Sequence, residues 1–225
     1  MTRGSDRSPL PDDTALTVDE VDLASGTEKL LIVACGALAR ELIAVLDANG
    51  FDHVAVKCLP AILHNHPERI VPAVEDAVEA ARSDYDRVFV AYADCGTGGE
   101  LARAAERLGV EMLPGAHCYA FFEGVDAFAA RAEDEMTAFF VTDFLARQFD
   151  AFVWKPLGLD RHPELRDVYF GHYDRLIYQA QTDDPALTAR AQEAAERLGL
   201  AFERRRTGFG DLGREVERFG KSARD

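Results

Sequence analysis

Continuous apolar runs of strand length alternate with stretches whose apolar residues recur at helical spacing, and Gly or Pro stands at many of the joints. Together these observations predict an α/β protein with a mostly parallel sheet and helices on both faces, because parallel neighbours need a crossover between them. The first strand is Lys29-Leu-Leu-Ile-Val-Ala-Cys35, followed by Gly36 and a helical stripe through Leu38, Leu42, Val45 and Leu46. Val54-Ala-Val56 reads as the second strand, and after Pro67 the positions Ile70, Val71, Val74 and Val78 mark a helix ending near Ser83. Arg87-Val-Phe-Val-Ala-Tyr92 is a third strand, Gly98 to Leu108 a third helix and Val110-Glu-Met-Leu113 a fourth short strand. This alternation is Rossmann-like.

The second half is less regular. Ala120 to Ala132 reads as helix, Ala138-Phe-Phe-Val141 as a short strand, and Asp143 to Val153 as a helix carrying Phe144, Leu145, Phe149 and Phe152. A loop-rich stretch from Pro156 to His172 holds a short helix from Pro163 to Tyr169. Arg175-Leu-Ile-Tyr-Gln-Ala180 is a strand. Asp183-Asp-Pro185 opens a helix that Gly199 stops after Leu198, Ala201 to Arg205 is a last strand and Asp211 to Phe219 a last helix. Residues 1–26, polar and without periodicity, read as a flexible leader. Residues 27–225 then form one α/β domain, or two small lobes, 27–119 and 120–225, around a cleft.

The chain has 225 residues, 48% of them hydrophobic, enough to bury a real core. Its 25 basic and 40 acidic side chains leave a net charge of −15, which repels phosphate backbones and anionic headgroups, so nucleic acid and membrane surfaces are not expected as partners. No apolar run approaches the roughly 20 residues that span a bilayer. The four cysteines lie far apart with no CxxC pair, unlike a disulfide scaffold, and the expected location is the cytoplasm.

Open parallel sheets bind ligands beyond the carboxyl ends of their strands, where the strand order reverses. The reactive residues fall at such ends: Cys35 after the first strand, Cys58, His64 and His66 after the second, Asp94 and Cys95 after the third, His117 and Cys118 after the fourth. A single free cysteine is often no more than a small buried hydrophobe. The joint placement is what points to chemistry, because thiolates and imidazoles suit a borderline metal such as zinc. Cys35, His64, Cys95, His117 and Cys118 are the expected metal ligands, with an iron–sulfur cluster as an alternative. A thiol-only alternative makes Cys95 a nucleophile assisted by Asp94 or His117. Cys58, in Lys57-Cys-Leu-Pro60, is the weakest member and belongs in the core.

Asp94-Cys-Gly-Thr-Gly-Gly99 is a glycine-rich turn between strand and helix. It is either a plain tight turn or a cradle in which the amides of Gly96, Thr97, Gly98 and Gly99 hold an anion or a cofactor's tail. Cys35-Gly36 is a smaller version of it, with Arg40 placed to meet a carboxylate or phosphate. His66 reads as a solvated loop residue. Asp160, Arg161, His162, Glu164 and Tyr169 are candidate cleft residues, with a local capping network as the alternative, and His172 lies in a similar loop. Arg204-Arg-Arg206 reads as a solvated strand end. Phe121, Phe122, Phe139, Phe140, Phe144, Phe149 and Phe152 form a core, or else line a pocket for a flat ligand.

The segments Ala34-Cys-Gly-Ala-Leu38, Leu59-Pro-Ala-Ile-Leu-His-Asn65, Asp94-Cys-Gly-Thr-Gly-Gly99, His117-Cys-Tyr119, Thr142-Asp-Phe-Leu-Ala-Arg147, Asp160-Arg-His-Pro-Glu-Leu165 and Tyr178-Gln-Ala-Gln-Thr-Asp183 carry a resemblance over nearly all of the chain after residue 26. Together they resemble the bacterial and archaeal family called domain of unknown function 1638. The resemblance implies an association with corrinoid-dependent methyl-transfer proteins, to which a site of zinc and thiols would be suited. The expectation is therefore a zinc-dependent enzyme, a transferase or lyase, acting on a small molecule in one-carbon metabolism with a corrinoid or methyltransferase protein as partner. The alternatives are a non-catalytic metal, corrinoid or tetrapyrrole-binding accessory protein, and a purely structural zinc site.

Overall fold

The computed structural model describes residues 10–24 and 29–222. The chain divides into two compact units, Met1–Cys118 with Asp211–Asp225, and Tyr119–Gly210.

In the first unit, α1 (Asp13–Val18) and β1 (Val21–Ala24) precede the predicted alternation of β2 (Leu30–Cys35), α2 (Ala39–Asn49), β3 (Val54–Leu59), α3 (Ile70–Ala81), β4 (Arg87–Ala91), α4 (Glu100–Leu108) and β5 (Glu111–Met112). The sheet order is β1-β3-β2-β4-β5. β2, β3, β4 and β5 run parallel, while β1 is antiparallel to β3, so the sheet is mixed. All six residues of β2 are buried, which requires cover on both faces of the central strand and explains its unbroken apolar run. β3 lies on one side of β2 and β4 on the other, so the connections leaving β2 and β4 diverge at their carboxyl ends.

The flexible-leader expectation is corrected over residues 10–24; residues 1–9 and 25–26 lie outside the described residues. Asp12 caps α1 by accepting a hydrogen bond from the Ala15 amide, and Leu16 and Leu23 are buried. Helix α1 lies against the turn that follows β2, since a Cβ on Gly36 would collide with the Leu16 carbonyl. A helix of six residues shows too few turns to display a period, and its burial comes from tertiary packing.

In the second unit, the helix expected over 120–132 is two helices, α5 (Cys118–Glu123) and α6 (Val125–Ala130), broken at Gly124, whose φ of 92° no helix accommodates. Then follow β6 (Ala138–Thr142), α7 (Asp143–Phe149), a π-helical turn at Asp150–Trp154, α8 (Arg166–Phe170), β7 (Arg175–Ala180), α9 (Pro185–Leu198) and β8 (Ala201–Arg206). The sheet is parallel in the order β6-β7-β8. Its core gathers Val141, Phe149, Phe170, Leu176, Tyr178 and Leu198, with Phe139 and Phe152 packed against it. Phe139 meets Phe170 edge-on at 5.3 Å, and Phe144 meets Phe152 the same way. Those phenylalanines are core.

Asp143 ties the carboxyl ends of β6 and β7 together. Its buried carboxylate accepts from the Tyr178 hydroxyl at 2.7 Å, the Gln181 amide at 3.1 Å, and the Thr182 amide and hydroxyl at 3.0 and 2.6 Å. Arg205 bridges the buried Glu123 and Glu135, each at 2.9 Å, and Arg131 pairs with both. Arg204 and Arg206 both reach Asp183, so the basic run is matched with acids throughout.

The last helix, α10 (Gly210–Lys221), returns to the first unit rather than staying with residues 120–210. Phe219 stacks on Phe89 of β4 at 5.4 Å, and the His53 ring hydrogen-bonds the Gly220 carbonyl at 2.8 Å. No helix of the described residues is long and apolar enough to cross a membrane.

A candidate thiol and imidazole site at the strand ends of the first unit

Cys35 is the last residue of β2, and the register Ala34↔Ala91 puts it beside Tyr92, the first residue past β4. Both are buried, and the Tyr92 hydroxyl, which has no partner of good hydrogen-bond geometry, interacts with the Cys35 thiol. Burial pushes the Cys35 thiol up to about 12, against a smaller lowering by the Ala37 amide. Tyr92 is also raised, again by burial first and then by the neighbouring sulfurs.

The chain leaving β4 is held by main-chain bonds from the Asp94 amide to the Gly115 carbonyl at 2.9 Å and from the Cys95 amide to Ala116 at 3.0 Å. That pairing brings Cys95 to the segment carrying His117 and Cys118. The Cys95 and Cys118 sulfurs lie 3.3 Å apart, and all four cysteines are free thiols. Cys95 has a φ of 47°, the only positive value at a non-glycine position among the described residues. Such backbone costs an L residue energy and persists where surrounding bonds fix it.

His64 arrives from the other side of the sheet order, on a 3-10 turn at Ala61–Asn65 beyond β3. A Cβ on Gly96 would lie 3.3 Å from Pro67, so this segment packs on the glycine-rich turn. The Cys95 thiol acts on the His64 ring and raises its pKa above the ordinary imidazole value despite desolvation. The Cys95 thiol is raised in turn, first by its bond with Cys118 and then by burial, with His64 opposing. His117 is half-buried; desolvation and the charge of His64 lower its pKa, against a pull from Asp94.

The Asp94-to-Gly99 turn is built on its own carboxylate. Asp94 accepts from the Thr97 hydroxyl and the Gly99 amide, each at 2.6 Å, and from the Gly98 amide at 3.1 Å, while the Thr97 amide bonds the Asp94 carbonyl at 3.0 Å. Desolvation raises Asp94, but these bonds, with one from the Gly96 amide, outweigh it and hold the group below the usual carboxylate range. The amides that could have cradled an external anion therefore face Asp94. Arg40, likewise, pairs with Asp13 of α1 at 3.1 Å.

Cys35, His64, Cys95, His117 and Cys118 thus come to one end of one sheet. Cys58 is fully buried in β3, and burial raises its thiol strongly. His66 is exposed beside Glu68. In the second unit, exposed His162 pairs with Glu164 at 3.3 Å and Asp160 with Arg161 at 3.8 Å; Tyr169 is exposed, and His172 packs on Tyr173. Tyr92 joins the cysteines and histidines of the first unit although the sequence marks it only as a phenol ending the apolar run Val88 to Ala91. Among the described residues no group of three or more His, Cys, Asp or Glu side chains stands ready-made around a metal position.

An open, largely apolar groove of about 610 Å³ begins at Asp94 and Gly99 and runs past Ala105, Met112, Leu113 and Pro114. Another hollow, of about 430 Å³, lies at the amino ends of the strands. Its Arg87 and Glu111 belong to an ion-pair chain with Arg218, and of the two hollows only the groove reaches the candidate site, through Asp94 and Ala116 rather than through a thiol or imidazole.

No curated protein and no solved structure matches this chain. The family model described as "Protein of unknown function (DUF1638)" matches residues 58–215, a span that includes His64, Cys95, His117 and Cys118, and the chain belongs to that family.

Proposed function

We propose that the first unit is a Rossmann-like domain whose strand ends form a zinc site, and that the protein is an enzyme acting on a small molecule through that site. The single observation that carries this reading is the 3.3 Å contact of the Cys95 and Cys118 sulfurs at two strand ends, with His64 of a third end electrostatically linked to Cys95, donors of soft or borderline character. Cys95, Cys118 and His64 would hold the ion, with Cys35 or His117 as a further ligand. Zinc supplies Lewis-acid chemistry when bound, polarising an oxygen or activating a thiol.

The chain's own residues set the surroundings. Asp94 freezes the turn that carries Cys95, and the strained backbone there points to a position selected for its chemistry. Burial lowers the pKa of His117, which favours the neutral imidazole, the form that can accept a proton. The groove beginning at Asp94 has the size of a small-ligand pocket, and its mostly apolar wall suits a substrate with an apolar body. A role in one-carbon metabolism beside a corrinoid or methyltransferase partner is part of the proposal and rests on family resemblance. The free thiols suit a cytoplasmic setting.

Elemental analysis and an absorption spectrum on anaerobically purified protein test the reading together. Near-stoichiometric zinc in a colourless protein, sharply reduced by Cys95→Ser, is the expected result. Full metal occupancy in Cys95→Ser, or folded wild type without metal, refutes it; a coloured protein replaces zinc with a cluster or a tetrapyrrole.

A further inference from the structure

We infer that Cys95 and Cys118 form a reversible dithiol–disulfide pair that reacts with small disulfide oxidants. Their sulfurs are in contact at 3.3 Å, and neither is bonded to another cysteine. Closing a disulfide from that distance takes an approach of about 1.2 Å, well within what side-chain rotation supplies. The two backbone segments are already clamped together by the Asp94–Gly115 and Cys95–Ala116 main-chain bonds. The pair also differs in access: Cys118 is half-buried, whereas Cys95 is 5% exposed. An incoming disulfide therefore meets Cys118 first, and Cys95 sits behind it as the resolving thiol. Cys58 is fully buried within β3, and Cys35, as buried as Cys95, ends the central strand β2.

The exchange balances without another reactant. The Cys118 sulfur displaces one half of the small disulfide, forming a mixed disulfide and releasing one small thiol that carries a proton. The Cys95 sulfur then attacks the Cys118 sulfur, the second small thiol leaves with the other proton, and the protein has lost two electrons that the oxidant gained. Reduction by excess dithiol reverses both steps. The inference rests on the sulfur contact and not on the zinc reading, although an oxidised pair could no longer serve as two thiolate ligands.

The test is incubation of the chelator-treated, full-length protein with oxidised glutathione, followed by thiol titration and peptide mapping. The expected result is loss of two of the four titratable thiols, a Cys95–Cys118 cross-linked peptide, and full recovery with dithiothreitol. Cys58→Ala should leave the cross-link unchanged, while Cys118→Ser should abolish it. Four thiols still free in the wild type, or a cross-link through Cys35 or between chains, overturns the inference whether or not Cys118→Ser folds. Zinc content is measured separately on untreated protein: a pair that oxidises in a protein that never held zinc keeps this inference and removes the metal proposal.

Discussion

Asp143→Asn tests how the strand ends of the second unit are held. The two carboxylate oxygens each receive one main-chain amide, Gln181 on Oδ1 and Thr182 on Oδ2, together with one hydroxyl each. An asparagine offers one oxygen and one NH2 group, so either orientation leaves a buried amide donor facing another donor. A buried donor left unsatisfied costs about 1–3 kcal/mol, and replacing a charged acceptor by a neutral one takes roughly 1 kcal/mol from each bond that survives. Removing the burial of a charge offsets part of this. The net expectation is about 3 kcal/mol, a substantial share of the 5–15 kcal/mol typical of a whole domain. Urea unfolding should show a lower midpoint at unchanged slope, and hydrogen exchange should quicken at Gln181 and Thr182 before the centre of β7. A loss below about 1 kcal/mol with both amides still protected would refute the reasoning.

Two further predictions concern the first unit. Leu16→Ala removes a side chain only 1% exposed, and should cost about 2 kcal/mol while releasing the Leu16 and Asp19 amides of α1 to hydrogen exchange, with β2 still protected. In metal-free protein, NMR titration should place His64 above the ordinary imidazole value of 6.5 and His117 below it. The stability contributions then have opposite signs. That of His64 is complete below 6.5 and is lost as pH rises through its raised folded value; that of His117 is present above 6.5 and is lost as pH falls through its lowered one. Titration of the two rings in the reverse order would contradict the action of Cys95 on His64.

The sequence by itself determined the alternation of strands and helices and put the reactive residues at strand ends. Burial of a parallel strand on both faces writes an unbroken apolar run, as in Leu30 to Cys35, and such runs stop where the chain turns. The extent of β7 and the stop of α9 at Gly199 were legible for the same local reasons. Only the tertiary structure decided which of those residues meet. The local sequence already set Cys58 apart as a core residue, but nothing in it showed that main-chain bonds to Gly115 and Ala116 would carry Cys95 to Cys118. The glycine-rich turn gave no sign that Asp94 would occupy its amides, because a loop's hydrogen bonds depend on its folded path. Residues 10–24 were unreadable for a related reason: α1 and β1 are too short to show a period and are held by Leu16, Leu23 and the edge of β3, contacts between segments distant in sequence.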